Sequence, residues 1–457
     1  MRFGNKKAGS RTFPLADSPD PVRNDRLPPG VYNNFTFEFF NAVMYQCFAT
    51  PVILFIRQNG ASAFLVGSLS AFPLLLMPLT LVASQFVERK GYRRIALICW
   101  TLRWVACSFL IWIALLDFPG FGAWRVPLVM FVIFLFHLLR NLGVSASNPW
   151  ITSIIPPGRR GLYLSRTQLF ANLGSVGIFL IIGLILGNSP TLSQFALIFV
   201  MGTLGGLLSS VFMSRMQPPP ARQVKPKTES PAPRRTFWEG FRRCFAQPGF
   251  ISFVMIQSFY GLAFVSIPSL SLIYLREKVG ISPSIISYFS TAGVAGATIA
   301  ALFWGRWIDR RGITSLQLLA FTGLCFNSVL WFAIGLFGAN EANIAMAALV
   351  TFLSAVWISA LNMSQTHSIM AMAPVEDRVL FQNVAVLMTY MTQAMTPMLW
   401  GIMLDTLDHN AFSFKLGGLD VGPYRLFFVA SLILGLIGAT FLMRRTQLRR
   451  ASGELAE

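Results

Sequence analysis

Charge is what this 457-residue chain has least of: 12% of its residues are charged and 54% are hydrophobic, against roughly 25% charged in an ordinary soluble protein. So little polar surface excludes a soluble globular enzyme. Acidic residues are the scarcer sign, 18 against 37 basic, and leave a formal net charge of +19. Cysteine is scarce and odd in number, with five residues (Cys47, Cys99, Cys107, Cys244 and Cys325) and no CxxC. Neither a disulfide framework nor a zinc site fits that spacing. Walker loops, metal-ligand clusters and nucleophile-base arrangements are also missing, so no enzymatic activity, cofactor or metal is expected. The first 32 residues are polar and hold no apolar core of signal-peptide length, so an uncleaved N-terminus is expected.

What the chain has instead is long apolar runs. A membrane-spanning helix takes about 20 apolar residues, and twelve such runs lie near 35–56, 62–87, 95–116, 127–150, 167–187, 192–213, 250–274, 282–304, 316–337, 343–364, 380–404 and 424–443. The expected fold is an all-α polytopic membrane protein with 12 transmembrane helices in two pseudo-symmetric six-helix bundles. Its parts are a tail (1–32), a first bundle (33–213), a basic linker with a short amphipathic helix from Phe237 to Phe245 (214–249), a second bundle (250–443) and a tail (444–457). Of the 37 basic residues, 29 fall in tails and loops on one side of these spans and 6 on the other. The positive-inside rule then places both termini in the cytoplasm. Basic charge so distributed is explained by topology and anionic lipid, without nucleic acid. No Asn-x-Ser/Thr sequon occurs in the short outer loops, which favours the inner membrane of a prokaryote.

The two halves repeat one another. Gly60-Ala61-Ser62 corresponds to Gly280-Ile281-Ser282, Glu88 to Asp309, and Pro156 and Arg160 to Pro374 and Arg378, at offsets of 220, 221 and 218. Two related helical halves place a binding site near the bilayer midplane between them. The stretch Gly305-Arg306-Trp307-Ile308-Asp309-Arg310-Arg311-Gly312 resembles the Gly-x-x-x-Asp-Arg-x-Gly loop of the major facilitator superfamily. A degenerate copy, with Ser84 for the leading Gly, runs through Glu88, Arg89, Lys90, Gly91, Tyr92, Arg93 and Arg94. In that family the stronger copy usually belongs to the first half, so the order is inverted here. The resemblance covers the membrane region and implies alternating access with a cytoplasmic gate built from these loops. The gate would comprise Glu88, Arg89, Gly91, Arg93, Gly305, Asp309, Arg310 and Gly312, with Arg160 and Arg378 beside it. Drug/proton antiporters of the family carry a Gly-Pro pair in span five that is lacking here, which lowers that reading.

Charges inside spans are costly and mark function by default. Three are clear: Glu38, Arg103 and Arg140. Asn34, Glu38, Asn41 and Tyr45 follow helical spacing and share one face of span one; His137, Arg140, Asn141 and Asn148 do the same on span four. Arg103 and Arg140 lie about 12 Å from the cytoplasmic end, at 1.5 Å per residue. Glu38 is expected to pair with Arg140 and to accept a proton when the pair separates; a permanent structural pair is the alternative. Two Arg against one Glu invite an anionic substrate, because a guanidinium matches a carboxylate with a two-pronged fork. The second half offers uncharged groups: Gln257 and Tyr260 on span seven, Trp357, Asn362 and Gln365 around span ten, and Gln382, Asn383, Tyr390 and Gln393 on span eleven. Gln168 and Asn172 add to these from span five. Glycines on spans five and eight (Gly174, Gly177, Gly183, Gly187, Gly293 and Gly296) are expected at close helix approaches.

The expected function is secondary active transport of a small polar organic solute, an anionic one by its charge balance, with protons as coupling ion and a monomer as working unit. A non-transporting relative acting in membrane assembly, sensing or regulation is the alternative.

Overall fold

In the computed structural model, residues 29–80, 83, 87, 90–155, 160–218, 237–336, 340–372, 378–416 and 419–451 are described. The first half runs α1 (Tyr32–Cys47), α2 (Thr50–Gln58), α3 (Ala63–Leu75), α4 (Tyr92–Leu115), α5 (Gly122–Ile154), α6 (Arg160–Leu186) and α7 (Leu192–Ser214). After a short helix α8 (Phe237–Ala246) come α9 (Phe250–Phe264), α10 (Ile267–Ile273), α11 (Pro283–Arg311), α12 (Ile313–Ala333), α13 (Asn340–Met372), α14 (Arg378–His409) and α15 (Pro423–Ala451). Ten helical segments are long and apolar enough to cross a membrane, counting α1 with α2 and α9 with α10 as single spans. With α3 and α14 they follow the twelve apolar runs of the sequence. One loop departs from pure helix: β1 (Phe414–Leu416) and β2 (Leu419–Val421) form a two-stranded antiparallel ladder after α14.

The sequence repeats have local causes. Gly60 and Gly280 turn the chain at φ +83° and +81°, a conformation open to glycine at little cost. Two residues on, the Ser62 and Ser282 hydroxyls accept the backbone N–H groups of Leu65 and Ile285 and cap α3 and α11. Gly91 and Gly312, at φ +91° and +80°, make the turn into α4 and α12 in the same way.

Within each half the helices pack in pairs, α1 on α6 and α7, α4 on α5 and α7, then α11 on α13, α12 on α13 and α15, and α9 on α14 and α15. The halves meet through α3 against α14 and α6 against α11. Lipid gives little hydrophobic drive between helices, so close packing carries the association. A Cβ on Gly174 would stand 2.5 Å from the Phe39 carbonyl oxygen, and one on Gly296 2.8 Å from the Phe352 ring. Gly177 and Gly187, by contrast, have open space beside them, and Gly187 serves a turn at φ +58°. Outward-facing Leu184 and Leu302 are 77% and 71% exposed, which a hydrocarbon surround makes favourable. Cys244 of α8 is buried among Phe250, Phe253, Ile369 and Phe381, which fixes that helix to the second half.

Candidate functional site

The polar face of α1 organises the first half. Buried Asn34 donates through Nδ2 to the Tyr163 hydroxyl. Asn41 bridges two charges: its Nδ2 donates to Glu38 Oε2 at 3.3 Å, and its Oδ1 accepts from Arg103 Nη2 at 2.5 Å. Arg103 is 1% exposed and lies over the rings of Trp100 and Phe136, 4.5 and 5.1 Å from their centroids. Desolvated contacts of this kind contribute about 2 kcal/mol, and they hold the guanidinium inside the bundle.

Arg140 stands apart. Its guanidinium lies 5.6 Å from the centre of the Tyr45 ring, and among the described residues it makes no hydrogen bond or ion pair. The expected Glu38–Arg140 pair does not form: no contact within 4.0 Å joins them. The reason is helical geometry, since Tyr45 lies seven residues beyond Glu38, about 10 Å along the axis. Glu38 itself has Asn41 as its hydrogen-bond partner and no ionic one. His137, one turn before Arg140, is buried edge-on to Tyr45 and Phe136, and its Nδ1 has no partner. Asn141 donates to the Pro73 carbonyl at 3.1 Å, an acceptor freed because α3 ends two residues later.

Beside this cluster is a cavity of about 300 Å³, lined by Tyr45, Phe136 and His137 and by Ser70 from the first half, and by Pro268 and Ser269 from the second. A larger cavity of about 400 Å³ adjoins it and shares Thr50, Pro268 and Leu272. Both are walled by broken helices. The first span is interrupted between Cys47 and Thr50 and the seventh between Phe264 and Ile267, each just before a proline at the start of the next segment, Pro51 and Pro268. Irregular backbone at membrane depth persists where it lines a cavity. Pro51 and Pro268 stand at matching breaks in the two halves, a signal legible in the sequence.

Of the second-half candidates, Asn362 lines the larger cavity. Gln257, Tyr260, Gln365 and Gln393 are buried; the Gln393 amide nitrogen has no partner, and its side chain packs on Gly261. Tyr390 on α14 is within electrostatic range of Arg140. Trp357 stacks on Trp304 with centroids 5.9 Å apart. Gln168 donates to Asn172 at 2.8 Å, and Asn172 donates to Thr298 at 2.6 Å, joining α6 to α11. The side chains of Gln382 and Asn383 lie outside the described residues.

Expected gate residues occupy one end of the molecule. Glu88 and Arg89, and the side chains of Arg160 and Arg378, lie outside the described residues. Arg93 donates to the Ser214 carbonyl at 2.7 Å within its own half. Gly305 lies within α11 before its last two turns, and Gly312 follows the helix as its cap. Asp309 and Arg310 are exposed and, among the described residues, make no hydrogen bond or ion pair. The opposite end is fastened across the halves. Arg57 forks onto Glu277 with contacts of 2.7 and 2.5 Å. Both Asp405 oxygens accept from the α3 N-terminus, from Ala63 N–H and Phe64 N–H at 2.7 Å each. Ser284 and Ser287 donate to the Gly183 and Phe179 carbonyls at 2.6 and 2.8 Å. Among the described residues, cross-half hydrogen bonds reach from this Arg57 end inward as far as Asn172 and Thr298.

The sequence profile of the Major Facilitator Superfamily matches residues 35–274 and 258–456. No curated protein matches the chain. Among solved structures, a bacterial homologue of the human lysosomal transporter Spinster, in its inward-facing unoccupied form, is similar at a TM-score of 0.63 with 16% identity, over 90% of this chain and 95% of that one. The nucleoside transporter NupG is similar at 0.64 and 12%, over 91% and 99%, and a D-xylose-proton symporter at 0.64 and 14%, over 90% and 95%.

Proposed function

We propose that this chain, which belongs to the major facilitator superfamily, is a secondary active transporter that carries a small organic anion between its halves by alternating access, coupled to protons. The observation that carries the reading is a guanidinium with no hydrogen bond or ion pair among the described residues, Arg140 over the ring of Tyr45, whose side chain lines a cavity walled by both halves. Arg140 is half-buried, a cation at membrane depth without a carboxylate partner is costly, and an anionic solute supplies the missing charge when it binds. Glu38 supports proton coupling: a carboxyl within a span that has an amide for a partner and no ionic one is suited to gain and lose a proton. The basic loops orient the Asp309 end toward the cytoplasm, with both termini there, in the inner membrane of a prokaryote. One chain supplies both halves of the pathway and works as a monomer.

The test is a ligand-stabilisation screen on purified protein, followed by counterflow of each hit in proteoliposomes with and without a proton gradient. Glu38→Gln is expected to retain exchange and lose proton-driven accumulation; accumulation that persists would reject the coupling role. Absence of flux for every stabilising ligand would reject transport.

A further inference from the structure

The larger cavity differs in chemistry from its neighbour, and the difference bears on what the transporter carries. No ionisable side chain lines it. Its walls are apolar and aromatic, with Phe179, Leu275, Phe289, Trp331 and Ile358 prominent. The hydroxyls in the lining are largely committed elsewhere. Ser290 donates to the Ile286 carbonyl, Ser271 to Pro268 and Ser359 to Val356, while Ser354 receives Asn327 Nδ2 and Trp331 Nε1. Thr50, Thr351 and Asn362 are the exceptions, with no side-chain hydrogen bond among the described residues; they are few and scattered over a wall that is otherwise apolar. A sugar or another polyol placed here would exchange water for groups already engaged, and each unmatched hydroxyl costs free energy. An apolar body loses nothing.

Resting on the transporter reading above, we propose that this compartment holds the apolar body of an amphipathic organic anion whose acid group lies against Arg140. The two compartments share the wall residues Thr50, Pro268 and Leu272, and a molecule that spans them passes between these side chains. The charged end meets the guanidinium over Tyr45 and the apolar end meets Trp331 and Phe289. Asn362 discriminates weakly at the open side. The substrate class is therefore an acid with an aromatic or aliphatic tail, in place of the compact polar solute expected from the amides of the sequence.

A series of phenylalkanoates of increasing chain length, titrated into the purified full chain, tests this directly. Affinity is expected to rise about fourfold per added methylene until the compartment fills, because each buried CH₂ contributes about 0.8 kcal/mol. Ala297→Phe, which places a ring in the compartment, should flatten that dependence to less than twofold per methylene. Arg140→Gln should lower every member by tenfold or more and leave the slope intact, with Arg140→Lys between it and the parent. A flat series in the parent, an unchanged slope in Ala297→Phe, or tighter binding of xylose or uridine than of any phenylalkanoate would overturn the proposal. Counterflow of bound acids separates the two readings. Chain-length-dependent binding without flux removes transport and keeps the pocket; flux of polar solutes without chain-length dependence removes the pocket and keeps transport.

Discussion

At the Arg57 end a guanidinium forks onto a carboxylate of the other half and a second carboxylate, Asp405, caps the α3 N-terminus, whereas at the opposite end Asp309 and Arg310 stand exposed and, among the described residues, have no hydrogen-bond or ion-pair partner. The comparison shows where this conformer is held. Contacts at the Arg57 end are short-range and directional, so a displacement of a few ångströms releases them together. The described part of the loop signature, Asp309 and Arg310, makes no such contact here. On the proposed alternating-access reading each end is fastened in a different state, and the two sets of polar groups would divide that task.

The largest effect should come from backbone contact at the fastened end. A Cβ on Gly67 would collide with the Pro397 carbonyl, and one on Gly401 would stand 2.6 Å from the Ala63 carbonyl oxygen. Neither partner is a side chain that can swing away. Gly67→Ala should cost the closed arrangement of that end about 1–3 kcal/mol, roughly a 5- to 150-fold gain in labelling of a Ser269→Cys reporter by an impermeant maleimide added from outside. All five native cysteines are buried, which keeps the background low. Unchanged labelling would mean that α3 and α14 do not approach this closely in the membrane.

Asp405→Asn comes next. It keeps the shape of the side chain and removes the charge that receives two backbone N–H groups at a helix N-terminus. Hydrogen bonds to a charged group are worth about 1.5–3 kcal/mol, and partial exposure reduces this, so about tenfold more external labelling is expected. A wild-type rate in Asp405→Asn would show that the helix N-terminus finds an equivalent acceptor.

The sequence disclosed the fold well and the fastening poorly. Spans, turns and repeats are local properties: Gly60 with Ser62, and Gly91 beside its helix, announce themselves over a few residues. Membership of Glu38, Asn41, Tyr45, Arg103 and Arg140 in one polar region was readable from helical spacing and depth. Which of them touch was not. Depth puts Arg103 and Arg140 at similar levels with Glu38 nearer the cytoplasmic end, but packing sets Asn41 between Glu38 and Arg103 and places Arg140 over Tyr45, about 10 Å further along the axis. The Asp405 contact was not legible, because no pattern within α14 says that a helix N-terminus 342 residues away will meet it. The fork of Arg57 onto Glu277, 220 residues apart, was hidden for the same reason.

The smallest expected effects separate fastening from mere proximity at the same end. Arg57 and Glu277 have side chains 21% and 35% exposed, and Lys278 and Asp408 have side chains 43% and 57% exposed at a contact of 3.0 Å. Geometry favours the first pair, because its two parallel contacts fix the guanidinium plane, while the single ammonium contact leaves both partners free to rotate in water. Partly exposed pairs contribute about 0.5–1 kcal/mol and well-solvated ones close to nothing. Arg57→Met should therefore raise external labelling of the Ser269→Cys reporter about threefold, an increase that high salt reproduces in the parent protein. Lys278→Met should change it by less than about twofold. If the two substitutions act equally, the fork onto Glu277 adds no more than a surface contact, and the fastening of that end rests on Asp405, the Gly67 approach and the Ser284 and Ser287 hydrogen bonds.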